Sequence, residues 1–185
     1  MAEVNRHGWL TIPDFQTGER TLKEQMLGLD VALSEAKGKS VLDVGCAEGL
    51  IGLEFARAGA SRVLGVDRLD THIRVARKHC GSLVKFQVMD LNEQPVAEEP
   101  DFDIVLALAV LHKLVQPAHG VRYCASHARS LVVVRLPYGS RGRIQGKHSG
   151  VECDVPAEMA AQGFRLERKK RGPRHELVQY YRRRV

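Results

Sequence analysis

The stretch that most restricts what this chain can fold into runs from Val41 to Gly49 and reads VLDVGCAEG. An apolar run carrying one acid enters a turn of small residues, Gly45, Ala47 and Gly49. Leu50, Ile51, Leu53 and Phe55 then open a helical pattern. A buried strand feeding a tight turn that opens a helix is the start of a nucleotide-binding βαβ unit. Small residues there let a ligand approach the backbone closely, and the first amides of a helix lack intrahelical partners.

The flanking chain supplies the alternation that such a start requires. Residues 1–18 read as irregular, with Pro13 and Gly18 as punctuation, and Trp9 within them reads as an anchor to the core rather than a lid. Thr21 and Glu24 have capping-box spacing. Leu22, Met26, Leu29, Leu33 and Ala36 then keep one apolar face until Gly38, which predicts one helix. Strands are predicted at 40–44, 62–66, 83–89, 103–108 and 131–136. The helices between them fall at about 49–58, 69–79 and 117–129. An acidic loop spans 92–101, and a Gly/Arg-rich loop spans 137–155. A short helix at 156–162 precedes two paired strands, 164–171 and 176–183, around Gly172-Pro173. Strands alternating with helices imply a doubly wound, mostly parallel α/β sheet, here closed by an antiparallel hairpin.

Three acids fall at successive strand ends: Asp43 before the glycine turn, Asp67 after the second strand and Asp90 after the third. Ligands of open parallel sheets bind beyond those ends. An acid ending the second strand can accept both ribose hydroxyls, and one ending the third can accept from an adenine amino group. One such acid could cap a helix by chance; three beside a small-residue turn require a common cause.

Charge is unevenly placed. Residues 1–128 hold 14 Lys+Arg against 17 Asp+Glu, or −3, and residues 129–185 hold 14 against 5, or +9. The basic third suggests an anionic partner, against the bland alternative of a solvated face. The four cysteines, Cys46, Cys80, Cys124 and Cys153, lack disulfide or metal spacing and read as reduced thiols, so no metal site is expected. The first residues lack a signal-peptide layout and no apolar run is long enough to span a bilayer, so a cytoplasmic protein without membrane association is expected.

With these residues in view, the chain resembles the class I S-adenosylmethionine-dependent methyltransferases. VLDVGCAEG is similar to their glycine-rich first motif, with Ala47 in place of the usual middle glycine. VLGVD resembles the second motif, QVMDL the third, and LALAVLHKL the segment after strand four. The dinucleotide fingerprint of nicotinamide dehydrogenases fits less well, because Gly45, Ala47 and Leu50 occupy its glycine positions. The resemblance implies one domain over 1–185, with an N-terminal arm and helix at 1–38 and a Rossmann-like core at 39–185. The core would carry a seven-stranded sheet whose seventh, antiparallel strand lies beside the fifth.

The resemblance also implies roles. Asp43 and the Gly45, Cys46, Ala47, Glu48, Gly49 and Leu50 turn would hold the methionine part of S-adenosylmethionine, with Glu48 reaching its ammonium or facing water. Asp67 would bind the ribose and Arg68 flank the adenine. Asp90 and Leu91 would take the adenine edge and face, and Leu108, Ala109 and Val110 would line the floor below the sulfonium. His112 is the candidate general base, against a structural role capping its own turn. Arg141, Arg143 and Lys147, with Lys169, Lys170 and Arg171, would flank the cleft and meet an anionic acceptor, for which RNA is the first expectation. A small-molecule acceptor and a non-catalytic cofactor-binding partner subunit stand as alternatives. No Asn/Asp-Pro-Pro-aromatic or Pro-Cys motif follows strand four, which disfavours base amino and cytosine-C5 methylation.

Overall fold

Valine and leucine crowd the runs at 41–44, 104–108 and 131–136 because these strands are covered on both faces, and that places them at the centre of one sheet. The computed structural model describes residues 7–97 and 101–184. The first six residues of the expected arm, residues 98–100 of the acidic loop, and Val185 lie outside them.

In chain order the elements are β1 (His7–Leu10), β2 (Thr17–Arg20), α1 (Leu22–Gln25), α2 (Asp30–Ser34), β3 (Ser40–Val44), α3 (Leu50–Arg57) and β4 (Arg62–Asp67). There follow α4 (Asp70–Cys80), β5 (Lys85–Val88), β6 (Phe102–Leu108), α5 (Pro117–His127) and β7 (Ala128–Leu136). The chain closes with β8 (Arg143–Gln145), β9 (Glu152–Asp154), α6 (Val155–Ala161), β10 (Phe164–Arg171) and β11 (Leu177–Arg183). Seven strands form one sheet in the order β10-β11-β7-β6-β3-β4-β5. β11 runs antiparallel to both neighbours, and the pairs from β7 to β5 are parallel. The predicted doubly wound sheet with a closing hairpin is therefore the observed one.

Alternation along β7 divides the core. Val132, Val134 and Leu136 face α5 and α6, whereas Leu131 and Val133 face the layer of α2 and α3. Each such side chain, once fully buried, contributes about 1.5–3 kcal/mol. All four cysteines are buried without a disulfide. Among the described residues no helix is long and apolar enough to cross a membrane, and no group of three or more His, Cys, Asp or Glu is placed to hold a metal ion.

Three local expectations change. Residues 7–20 are not irregular: β1 and β2 pair in parallel and form a small separate sheet. The single helix expected after Thr21 is two short ones. The capping box forms as predicted, but Gly28 at φ 80° breaks the helix where a Cβ would meet the Arg171 carbonyl oxygen at 2.9 Å. The close approach of the β10–β11 turn thus overrides local periodicity. The loop at 137–155 contains the β8–β9 hairpin, too short and too polar to register as a strand pattern.

Candidate functional site

The carboxyl ends of β3, β4, β5 and β6 open on one cleft. Its walls include Gly45 and Ala47 from the turn after β3, Asp67 and Arg68 after β4, Asp90 and Leu91 after β5, and Leu108, Ala109 and Val110 after β6. Nine residues expected around the donor are therefore together.

At Gly45, Ala47 and Gly49 the backbone of the turn admits only small residues. Gly45 has φ 72°, and a Cβ there would lie 2.8 Å from the Val110 side chain across the cleft. Ala47 takes φ 48° and Ala109 φ 59°, a region L-residues seldom occupy. Ala47 thus adopts a backbone usually reserved for glycine, at a cost on the order of 1 kcal/mol. Gly49, also left-handed at φ 74°, serves packing instead: a Cβ would enter the Phe86 ring at 2.5 Å.

Four amides of this turn are already committed as donors. Gly45 and Cys46 donate to the Val66 carbonyl at 2.8 and 3.0 Å, Gly49 donates to Cys46, and Ala47 donates to Asp67 Oδ2 at 2.9 Å. Asp67 Oδ1 accepts from the Leu69 amide at 2.9 Å and lies 3.6 Å from His72 Nδ1. Burial alone would raise the Asp67 carboxyl. The His72 ring and the Leu69 and Ala47 amides outweigh it and hold the group below the ordinary carboxylate range, so it is ionised at neutral pH.

Five expected cofactor residues are placed elsewhere. Cys46, Gly49 and Leu50 do not line the cleft: Gly49 packs against Phe86 and Ala76, Cys46 lies beside Gly65 of β4, and Leu50 packs against the core layer that α3 shares. Asp43 is 2% exposed beneath the turn, with Oδ2 unpartnered. Burial, reinforced by the Asp67 charge, pushes its carboxyl up to about 7 despite Arg135 and the Gly52 amide. Glu48 neither faces water nor opens toward a ligand ammonium. It is 1% exposed and accepts from Trp9 N at 2.8 Å, Leu10 N at 3.1 Å and Gln16 Nε2 at 3.0 Å.

Glu48 therefore clasps a strap, residues 7–20, across the carboxyl ends of the sheet. The strap's other end is held by Arg20 to Glu176 at 2.8 Å and by Arg174 donating to the Glu19 carbonyl. Trp9 is anchored by its amide, yet its ring lines the cleft, with Lys113 Nζ 4.4 Å and Arg20 5.0 Å from its centroid. It is a roof as well as an anchor. Trp9, His72, Asn92 and Lys113 are cleft residues that the sequence reading did not assign. Only Trp9 carried a signal, its solitary aromatic bulk in a polar arm.

Glu48→Ala is expected to free the strap, because three donors lose one buried acceptor. The stability loss should be about 2–4 kcal/mol. Emission from Trp9, the only tryptophan, should shift to the red. An unchanged spectrum and unchanged protease sensitivity of residues 7–20 would contradict the clasp.

His112 is not on this cleft. It sits in the 3₁₀ turn Leu111–Lys113 with its ring toward a second cavity, while Lys113 takes the cleft side. The expected basic rim is partly spent internally: Lys170 pairs with Asp30, Arg143 lies 3.3 Å from Asp154, and Arg171 contacts His175. Arg141, Lys147 and Lys169 are exposed.

A methyltransferase-domain family model matches residues 41–132. A ubiquinone biosynthesis O-methyltransferase of Thiobacillus denitrificans is 34% identical over 143 residues, covering 66% of this chain and 61% of that protein. One from Neisseria meningitidis serogroup C is 31% identical over 97 residues, covering 50% and 41%. The chain spans between 38% and 61% of the length of these and similar curated relatives. The magnesium protoporphyrin IX methyltransferase of Synechocystis PCC 6803, solved with bound SAH, superposes with a TM-score of 0.68 at 20% identity over 83% of this chain and 78% of that one.

Proposed function

The chain belongs to the class I S-adenosylmethionine-dependent methyltransferases, and from that premise we propose that it transfers the methyl group of S-adenosylmethionine to a small-molecule acceptor. The observation that carries the reading is the convergence of the Gly45–Ala47 turn, Asp67 and Asp90 on one cleft at successive strand ends.

The residues present suit the donor. The turn lacks side-chain bulk where a ligand must approach, and Asp67, ionised and fixed by two amides, keeps lone pairs for the ribose hydroxyls. Asp90 and Leu91 would take the adenine edge and face. The donor's sulfur leaves as a neutral thioether, so the transfer itself needs little acid assistance. The chain's part is to orient both reactants and exclude water, which Trp9 and the clasped strap do from above.

A small acceptor is favoured over RNA by two features. The strap roofs the cleft, and two of the six basic residues expected to meet phosphate are already paired with carboxylates. The names of the curated relatives agree with that preference. A non-catalytic partner subunit would bind the donor without transferring methyl.

Calorimetric titration with S-adenosylmethionine and S-adenosylhomocysteine should show binding of both, and none of a nicotinamide dinucleotide. The reverse result would refute the donor. Tight RNA binding that falls steeply across a salt series, and is lost when Lys169, Lys170 and Arg171 are all changed to Glu, would restore RNA as the acceptor.

A further inference from the structure

The two edges of the seven-stranded sheet differ. β5 closes one with four residues, whereas β10 closes the other with eight, roughly 26 Å of extended chain. Among the described residues β10 pairs only with β11, and no backbone hydrogen bond engages its outer side. A row of N–H and C=O groups is therefore left unpaired along that side. Every residue from Arg165 to Lys169 is exposed, the apolar Leu166 included.

This edge reads FRLERKKR, and its register with β11 sorts the side chains. Arg165, Arg168 and Lys170 stand opposite Arg182, Tyr180 and Val178, on the face that carries α2. Leu166 stands opposite Tyr181, and Lys169 and Arg171 follow it on the other face, beyond the register shift at Glu167. Acids answer only part of this charge. Lys170 pairs with Asp30, and Arg182 takes both Glu35 and Glu167. Arg165, Arg168 and Lys169 have no carboxylate partner among the described residues. Arg165 also lies directly opposite Arg182, a like-charge pairing that costs stability in a sheet. A second copy of this strand cannot pair here, because cation would face cation along its length. An acidic strand can.

We propose that β10 is a docking edge for a partner protein that adds an acidic, extended segment to the sheet. The partner's backbone completes the unpaired row, its carboxylates meet Arg165, Arg168 and Lys169, and an apolar side chain covers Leu166. The unpaired row favours a polypeptide over a nucleic acid. A polyanion could neutralise the cations, but only another peptide backbone presents N–H and C=O groups at the spacing of a strand. The inference stands apart from the donor reading: β11 and β7 separate this edge from β6, the nearest strand of the donor cleft.

The test uses the whole chain and three fluorescent probes. One is an eight-residue peptide of alternating Glu and Val, acetylated and amidated. The second is the same peptide methylated at every backbone nitrogen, and the third is polyuridylate. The first peptide should bind. Its methylated form keeps every charge but cannot donate to the edge, and should bind at least tenfold more weakly. The exposed change Arg168→Glu should weaken the first peptide at least tenfold and leave the thermal unfolding midpoint unchanged. Equal binding of the two peptides, or tighter binding of polyuridylate than of the first peptide, would make the edge a polyanion surface and overturn strand addition. A native chain that ignores the acidic peptide, or an Arg168→Glu variant that binds it as the native chain does, overturns the docking edge.

Discussion

Asp43→Asn should gain stability relative to the native chain as pH rises from 5 to 8, by on the order of 5–10 °C in the difference of their melting temperatures without ligand. Unfolded, this carboxyl titrates near 4, as aspartates ordinarily do; folded, burial carries it to about 7. Between those values the native state keeps a proton that the unfolded state has released. Stability therefore falls as pH rises across that window, and above it the buried charge exacts its full cost, about 4 kcal/mol for a shift of this size. Below the window both states are protonated and the cost vanishes. Asparagine cannot ionise and keeps an oxygen toward the Gly52 amide, so it removes the slope. Its new NH₂ adds a penalty that does not depend on pH. Melting curves of both chains at pH 5, 6, 7 and 8 decide the matter. A difference that is flat with pH would mean that Asp43 is not the buried, poorly compensated acid described here.

Asp67→Ala should weaken S-adenosylmethionine about 10- to 150-fold, a loss of about 1.5–3 kcal/mol, while the chain still folds. Two effects act together. The ribose loses charge-assisted hydrogen bonds, and the Ala47 and Leu69 amides lose the acceptor that sets the shape of the turn. Asp67→Asn separates them in part. It keeps one oxygen to accept from a single amide, sets an NH₂ against the other and loses the charge, and should fall between the native chain and the alanine variant. Titration calorimetry of the three proteins reads the order directly. Equal affinities would remove Asp67 from the donor site.

Much of the architecture was legible because it follows from one-dimensional periodicity. Short unbroken apolar runs such as 104–108, rich in β-branched residues and bounded by polar chain, read as strands covered on both faces. Small residues after the run at 41–44 can only be a tight turn. Acids at strand ends fall on the ligand face whatever the details of packing. Nine of the expected donor residues lie on one cleft for that reason: parallel topology alone gathers the strand ends.

Contacts between segments far apart in sequence were not legible. Glu48 sits in the first motif, yet its partners are Trp9, Leu10 and Gln16, and no local pattern announces a bond across some forty residues. Side-chain direction within a single turn was equally hidden. His112 and Lys113 are adjacent in sequence and face different cavities, because successive residues of a 3₁₀ turn point about a third of a circle apart. Gly28 reads as a neutral break until the β10–β11 turn is seen pressing on it. The sequence by itself determined the sheet, its turn and the acids at its edge, since these depend on periodicity and backbone sterics. Tertiary structure alone decided which of those acids opens on the cleft, which is buried and costly, and which clasps the strap, since burial and partner choice are properties of the packed chain.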